Sequence, residues 1–207
     1  AYGFDELLGD ILALFDHYKG KENAVIGHSY GGAFTVQLAK QRMNEINCLI
    51  LLAPMPCTAN YPIPFIYRLP VVFMEALRPL LIYEFSKRAF SKNAPVAMKE
   101  TELNAIQHNP FWIAKALIQG IQKTPKTVLT ELNLPTLLII TTEDNLVKPD
   151  EQRAFYQALP NVKCIELASG HIVMLEQPQV VNDLLREFLQ TYLDKEGMAT
   201  SGSTSSA

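Results

Sequence analysis

Two stretches of the chain are apolar almost throughout and have the length of a strand: Cys48–Ala53 and Thr136–Thr142. A shorter stretch, Asn23–Gly27, and a weaker one, Lys163–Ala168, also predict strands. Strands that are apolar without alternation are buried on both faces. This pattern is typical of a parallel sheet that lies between two layers of helices.

Apolar residues recur every three or four positions in other segments, and this spacing predicts helices. The predicted helices are Phe4–Tyr18, Gly31–Lys40, Asp150–Leu159 and Pro178–Leu193. Helices and strands therefore alternate along much of the chain. We expect an α/β protein with a mainly parallel sheet and helices on both of its faces.

The middle of the chain interrupts this alternation. Residues 56–132, called the cap segment below, contain several prolines and no strong strand signal. Short apolar helical stretches occur there at Val71–Phe85 and Trp112–Ile121. We interpret the cap segment as a helical insertion between two strands of the sheet. The predicted organisation is a core of residues 1–55 and 133–194, the cap segment, and a polar tail of residues 195–207 that is expected to be disordered.

Composition excludes some classes of protein. Hydrophobic residues make up 48% of the 207 residues and charged residues 19%, which is enough apolar material for a buried core. The net charge of −3 lacks the basic excess of a nucleic-acid-binding surface, so we expect no nucleic-acid partner. No metal-ligand cluster or phosphate-binding loop stands out in the sequence, and no cofactor or metal is expected.

The cysteines and the first residues bear on the cellular location. Cys48, Cys57 and Cys164 are odd in number and form no C-x-x-C pair, so we predict buried thiols in a reducing compartment. Residues 1–19 carry acids and a helical pattern, unlike the basic start and apolar block of a signal peptide. We expect an intracellular, cytoplasmic protein, with peripheral association with a membrane or organelle as the alternative.

One serine is flanked by glycines in the stretch GHSYGG, residues 27–32. A predicted strand precedes it and a predicted helix follows, which is the context of a nucleophile elbow, a tight turn that exposes one side chain. Such a turn needs small neighbours, so Gly27 and Gly31 are expected to make room for Ser29. The helix N-terminus beside Ser29 favours negative charge. A glycine-rich turn without chemistry is the alternative.

A serine hydroxyl needs a base, and four histidines could supply it. His17 is expected at the surface of the first helix, and His108 at a helix boundary or packed within the cap segment. His28 adjoins the serine, so its ring should point away from the hydroxyl and pack or hydrogen-bond near the turn. His171 follows the last predicted strand, and ligands gather in loops at that end of parallel strands. We therefore prefer His171.

The base needs an orienting acid, and the loop after Thr136–Thr142 offers two. Asp144 is preferred, and Glu143 is its nearest rival. The resulting chain order is serine, aspartate, histidine. That order is expected of one hydrolase architecture and differs from the orders in chymotrypsin and subtilisin.

Three motifs in this order resemble the α/β-hydrolase fold superfamily, in particular the abhydrolase-domain proteins. They are GHSYGG, TTEDNLVKP and ASGHIVMLEQP. The resemblance implies a serine hydrolase with Ser29 as nucleophile, Asp144 as acid and His171 as base. It also implies that the backbone N–H of Tyr30 supplies half of the oxyanion hole.

The resemblance leaves one part of the family's fold unmatched. Its sheet normally has further strands before the elbow strand, and a loop among them supplies the second oxyanion donor. Here one predicted helix precedes the elbow, and residue 1 is alanine rather than methionine. The expectation is therefore a fragment of a longer chain or a truncated isoform. Such a segment alone is expected to be poorly soluble and inactive.

The resemblance implies cleavage of a carboxylic ester or thioester, with a lipid or medium-chain acyl ester as the preferred substrate class. The apolar stretch Ile66–Phe85 could line an acyl pocket, touch a lipid surface or pack on the sheet. Its charged residues and prolines make it a poor membrane span. Two alternatives stay open: a non-catalytic protein-interaction module, and a lipid acyltransferase. The acyltransferase motif H-x₄-D is not matched, because Glu176 stands at that position.

Overall fold

The computed structural model of this chain describes residues 2–56, 63–126 and 128–193. Two earlier expectations fall outside these ranges: the polar tail of residues 195–207 and the burial of Cys57. Within the described ranges, no helix is both long enough and apolar enough to cross a membrane.

Four parallel strands form one sheet in the order β1-β2-β3-β4, which confirms the predicted fold class. Neighbouring strands are joined in register, so that Ile26 pairs with Ile50, Leu51 with Leu138 and Ile139 with Ile165. The strands are β1 (Ala24–His28), β2 (Cys48–Leu52), β3 (Thr136–Thr141) and β4 (Val162–Leu167).

Two apolar clusters cover the two faces of the sheet. Leu49 and Leu51 point to one face, where the helices α1 (Phe4–Tyr18), α2 (Tyr30–Arg42) and α7 (Pro149–Tyr156) supply the covering side chains. Cys48, Ile50 and Leu52 point to the other, which is covered by α8 (Val173–Glu176) and α9 (Pro178–Leu193). Alternate residues of a strand point to opposite faces. An unbroken apolar run such as β2 therefore fills both clusters.

The cap segment is helical between β2 and β3. Its described elements are a 3₁₀ turn at Phe65–Arg68, α3 (Val71–Ala76), α4 (Arg78–Ala89), α5 (Val96–Gln107), α6 (Phe111–Ile121) and a 3₁₀ turn at Leu129–Glu131. The expectation of one helix over Val71–Phe85 is wrong, because α3 ends before Leu77 and a second helix, α4, begins after it with a proline in its first turn. Helix α5 was not predicted, since it contributes no buried residue and has no apolar stripe. The division into a core and a cap stays a prediction.

The two described cysteines lie in different environments. Cys48 is fully buried in the central strand β2, and burial raises the pKa of its thiol to about 11. Cys164 is exposed and lies in β4, the last strand of the described sheet, none of whose residues is fully buried. The prediction of buried thiols is therefore wrong at Cys164.

Candidate active site

The three residues selected from the sequence lie at one edge of the sheet. Ser29 directly follows β1, Asp144 lies in the loop after β3, and His171 lies in the loop after β4. All four strands run parallel, so their carboxyl ends share this edge. Residues that are far apart in sequence are thereby brought within hydrogen-bond distance.

Ser29 has a backbone conformation that is unusual for a residue with a side chain. Its φ of 54° and ψ of −124° are outside the regions that L-residues favour. Hydrogen bonds hold the turn: the Ser29 N–H donates to the Leu52 carbonyl at 3.1 Å, and the Ser29 carbonyl accepts from the N–H groups of Gly32 at 3.0 Å and Met55 at 2.9 Å. Strain of this kind persists only where the surroundings enforce it, and it is common at active sites.

The glycines around Ser29 do not all have the predicted steric role. A Cβ on Gly27 would lie 2.3 Å from the Thr35 side chain and 2.7 Å from the Gly31 carbonyl oxygen, so a side chain is excluded there. A Cβ on Gly31 would meet no described atom within 4 Å, and the steric argument is wrong at that position. The second crowded glycine is Gly32, where a Cβ would lie 2.7 Å from Pro54.

His171 lies between the other two residues. Its Nδ1 is 2.7 Å from Asp144 Oδ2, and its Nε2 is 2.7 Å from Ser29 Oγ. A carboxylate only accepts hydrogen bonds, so Nδ1–H donates to Asp144, and Nε2 is left to accept from the Ser29 hydroxyl. His171 is 5% exposed, which keeps bulk water from competing for either bond.

Donors surround Asp144 on both carboxylate oxygens. Oδ1 accepts from the backbone N–H groups of Leu146 at 2.8 Å and Val147 at 3.0 Å. Oδ2 accepts from the Thr141 hydroxyl at 3.2 Å and the Gln152 amide at 3.4 Å, in addition to His171. These bonds compensate for the burial of an acid whose side chain is fully inaccessible.

Sequence reasoning missed Gln152. Gln152 and Tyr156 are both fully buried and lie four residues apart, so they occupy the same inner face of α7. A polar residue on the buried stripe of a helix was the available signal. The carboxylate of the rival acid Glu143 instead accepts from the Lys92 backbone N–H at 3.3 Å.

His28 points toward His171 rather than toward the serine hydroxyl. Its Nε2–H donates to the His171 carbonyl oxygen at 2.9 Å, and the two ring centroids are 4.8 Å apart. Burial, and then the proximity of His171, lower the pKa of His28 from 6.5 to about 4. His28 is therefore neutral in the folded protein at pH 7.

The contacts described for the two remaining histidines are with residues outside the candidate site. The ring of His17 packs edge-on against Tyr18 near the end of α1. His108 caps α5, and its Nδ1 hydrogen-bonds the Asn104 carbonyl oxygen at 2.7 Å. Both positions agree with the surface and helix-boundary roles expected for them.

Tyr30 is the first residue of α2, so its backbone N–H lies beside Ser29 at the positive end of the helix dipole. Its ring packs on Phe4 and Phe34, with centroid distances of 6.2 Å and 4.8 Å. Helix α6 also approaches the ring, because a Cβ on Gly120 would lie 3.2 Å from the Tyr30 hydroxyl. The residue after the serine is thereby fixed by three helices.

This arrangement can move a proton from the hydroxyl to the imidazole. A neutral imidazole that accepts from a serine can take its proton, and the carboxylate behind it stabilises the imidazolium that forms. The N-terminus of α2 lies at the same edge of the sheet, where it can stabilise negative charge that develops beside Ser29. In the part of the chain that the structure describes, no three histidine, cysteine or acidic side chains cluster as metal ligands.

Comparisons with known proteins show which family and fold this chain resembles. The profile of the family described as "Serine aminopeptidase, S33" matches residues 1–177. Protein ABHD8 of Mus musculus is 34% identical over 199 residues, covering 91% of this chain and 44% of that protein. The chain thus spans about half the length of these curated relatives.

More distant matches extend over a similar share of this chain. A Bacillus subtilis protein named "Uncharacterized hydrolase YugF" is 23% identical over 203 residues, covering 91% of this chain and 73% of that protein. The solved structure of a thermophilic esterase superposes with a TM-score of 0.77 at 19% identity, covering 92% of this chain and 74% of the esterase. At that identity the likeness shows a shared fold.

We expect His28 to make stability fall with acidity. The folded chain holds His28 neutral down to about pH 4, whereas an unfolded histidine gains its proton near pH 6.5. Between these values the unfolded state binds more protons, so the free energy of unfolding falls as the pH drops, by at most about 3 kcal/mol. Urea denaturation at pH 7 and pH 4.5 should show a smaller loss in His28→Gln than in the wild type.

The matched control is His108→Gln, which removes an exposed histidine at the end of α5. It should lose stability between pH 7 and pH 4.5 as the wild type does. Parallel losses in the wild type and in His28→Gln would contradict the half-buried, neutral state of His28.

Proposed function

Since this chain belongs to the serine aminopeptidase S33 family of α/β-hydrolases, we propose that it is a serine hydrolase that cleaves carboxylic esters or thioesters. The hydrogen-bonded series Ser29, His171, Asp144 is the single observation that carries this proposal. Both of its contacts have the length that proton transfer requires of a nucleophile, base and acid.

The proposed reaction is acyl transfer to Ser29. The hydroxyl oxygen attacks the ester carbonyl carbon while His171 takes the hydroxyl proton, and Asp144 stabilises the imidazolium. The bond from the carbonyl carbon to the leaving oxygen or sulfur then breaks, and His171 returns the proton to the leaving group. His171 then takes a proton from water as the water oxygen attacks the acyl carbon. The bond from that carbon to Ser29 Oγ breaks, His171 returns the proton to Oγ, and the carboxylic acid leaves.

The backbone N–H of Tyr30 is the proposed oxyanion donor within this chain. It lies at the N-terminus of α2, where the helix dipole stabilises negative charge beside Ser29. The positive φ of Ser29 sets the direction of the side chain relative to that N–H. The tests below use the protein in its full natural length, because this chain spans 44% of protein ABHD8.

We propose a lipid or medium-chain acyl ester as the substrate class, with peripheral contact of the cap segment to a lipid surface. Nine of the sixteen exposed large apolar side chains in the described residues belong to the cap segment. They are Phe65, Val72, Phe73, Leu77, Leu80, Tyr83, Val96, Trp112 and Val128. Five of them fall within residues 72–83, and this concentration of exposed apolar side chains supports contact with an apolar partner.

Acyl transfer to a lipid and a non-catalytic interaction role are the two rivals of hydrolysis. The acyltransferase motif would place an aspartate at residue 176, and Glu176 instead bonds to residues 91, 169 and 170. An interaction module has no need of the short hydroxyl–imidazole–carboxylate contacts. Neither rival is favoured by a specific contact, and the non-catalytic role is an outcome of the labelling test below.

A fluorophosphonate probe tests the nucleophile. We expect covalent labelling of the folded wild type and its complete loss in Ser29→Ala, because only an activated hydroxyl displaces fluoride from the probe. Ser86→Ala, which removes a hydroxyl from α4, is the control and should label normally. A folded wild-type protein that takes no label would instead favour the non-catalytic module.

The identity of the acid is tested with two amide substitutions. Asp144→Asn should lower ester turnover by about 10³–10⁴-fold, because the amide no longer favours the required histidine tautomer. Glu143→Gln should change turnover by less than about threefold, since its carboxylate meets a backbone N–H of the cap segment. Steady-state rates are compared after circular dichroism has verified the fold. The reverse ranking of the two variants would show that Glu143 is the acid.

A chain-length series tests the substrate class. We expect kcat/KM for p-nitrophenyl octanoate to exceed that for the acetate by at least about tenfold, because each buried methylene contributes about 0.8 kcal/mol. Leu80→Ser, in the cap segment, should reduce this preference, whereas Leu14→Ser should not, although both leucines are more than half exposed. Equal rates for the two esters would refute an acyl-chain site.

A further inference from the structure

The end of helix α4 contacts the two loops that carry Asp144 and His171. The His171 backbone N–H donates to the Ala89 carbonyl oxygen at 2.7 Å. Arg88 and Asn145 bond reciprocally, with the Asn145 N–H on the Arg88 carbonyl at 3.1 Å and Arg88 Nε on the Asn145 carbonyl at 2.9 Å. A single turn of the cap segment, residues 88–92, thus holds both loops at once.

Glu176 joins this turn to the histidine loop. Its Oε1 accepts from the Ser91 backbone N–H at 3.0 Å. Its Oε2 accepts from the Ser169 hydroxyl at 3.1 Å and from the Gly170 backbone N–H at 3.0 Å. Ser169 is fully buried, and Ser91 is 6% exposed. Both carboxylate oxygens therefore accept from backbone N–H groups, and Oε2 also accepts from a buried hydroxyl. Such bonding is typical of a structural bridge rather than of a solvated surface acid.

The packing at Gly170 shows how closely the parts approach. A Cβ on Gly170 would lie 2.4 Å from the Ser91 nitrogen, 2.6 Å from the Ala89 carbonyl oxygen and 2.6 Å from Glu176 Oε1. Two of these three neighbours are backbone atoms, which cannot rotate away. The loop before His171 has little room to shift while the Glu176 bridge is in place.

The backbone of His171 is held on both sides of its α-carbon. Its N–H bonds to Ala89 of the cap segment, and its carbonyl oxygen bonds to the His28 ring beside the elbow. The two preceding residues are fixed by Glu176. The imidazole can reach Ser29 and Asp144 at 2.7 Å each only if this backbone stays where it is.

We propose that Glu176 is a positioning residue, which keeps the imidazole of His171 in line between Ser29 and Asp144 by fixing the loop of residues 169–170 to the turn after α4. The inference rests on the proposed function, because it gives His171 the role of the base. Glu176 does not touch the reacting atoms. Its carboxylate also makes the cap segment part of the support of the site, since one of its two oxygens binds there.

Glu176→Gln is the discriminating variant, because it keeps the size and removes one acceptor. In either orientation of the amide, its NH₂ group replaces a carboxylate oxygen and faces an N–H or O–H donor, which then loses its acceptor. We expect kcat for an ester to fall by about 10–100-fold with KM within about twofold, as for a small misplacement of a catalytic group. Glu187→Gln is the matched control, since Glu187 pairs with Lys163 on the surface at 2.8 Å.

A second readout does not depend on activity. The proton between His171 Nδ1 and Asp144 should give a proton NMR resonance far downfield of the amide region. We expect the resonance in the wild type and in Glu187→Gln, and its broadening or loss in Glu176→Gln at unchanged circular dichroism. A change of the resonance supports positioning even if no substrate is turned over, so failure of the proposed function and failure of this inference are distinguishable.

Two outcomes would overturn the role of Glu176. Glu176→Gln with wild-type kcat and a wild-type resonance would overturn the proposal. If Glu176→Gln does not fold, Ser169→Ala decides, because it removes one of the three donors to Glu176. Ser169→Ala should lower kcat by a few fold and broaden the same resonance, and a Ser169→Ala protein indistinguishable from the wild type would equally overturn it.

Discussion

The candidate site depends on the parallel alignment of four strands. Because the strands run the same way, the loops after β1, β3 and β4 meet at one edge and bring Ser29, Asp144 and His171 together. The apolar side chains that fill both faces of β2 and β3 hold this alignment. Each apolar side chain of β2 and β3 packs in one particular cluster, so a slip of one residue would move it to the opposite cluster and disrupt the packing of both. The geometry of the site is thus a consequence of the packing of the core.

Almost all polar groups of the candidate site have hydrogen-bond partners. The Asp144 carboxylate receives five hydrogen bonds, from the backbone of its own loop, from Thr141, from Gln152 and from His171. A buried carboxylate without such donors would be strongly destabilising, and a network with all members bonded holds each side chain in one orientation. The histidine tautomer follows from this network rather than from any property of the histidine itself.

The site is also supported from outside the sheet. Residues 88–92 of the cap segment bond to the acid loop and to the histidine loop, and Glu176 links them to the residues before His171. His28 bonds to the His171 carbonyl from the elbow side and stays neutral because burial lowers its pKa. The elbow, the two loops and the cap segment are therefore coupled through the backbone of His171. This coupling connects the cap segment, which bears exposed apolar residues, to His171, the base of the proposed hydrolase.

Local patterns in the sequence determined the strands, the helices Phe4–Tyr18 and Pro178–Leu193, and the choice of Ser29, Asp144 and His171. They could do so because apolar periodicity and the glycine-flanked serine are written in consecutive residues. The close approach of Gly32 to Pro54, the bond of Glu176 to Ser91 and the exposure of Cys164 were decided only by the tertiary structure. Each depends on a neighbour distant in sequence or on the position of a strand within the sheet, and no local pattern specifies either.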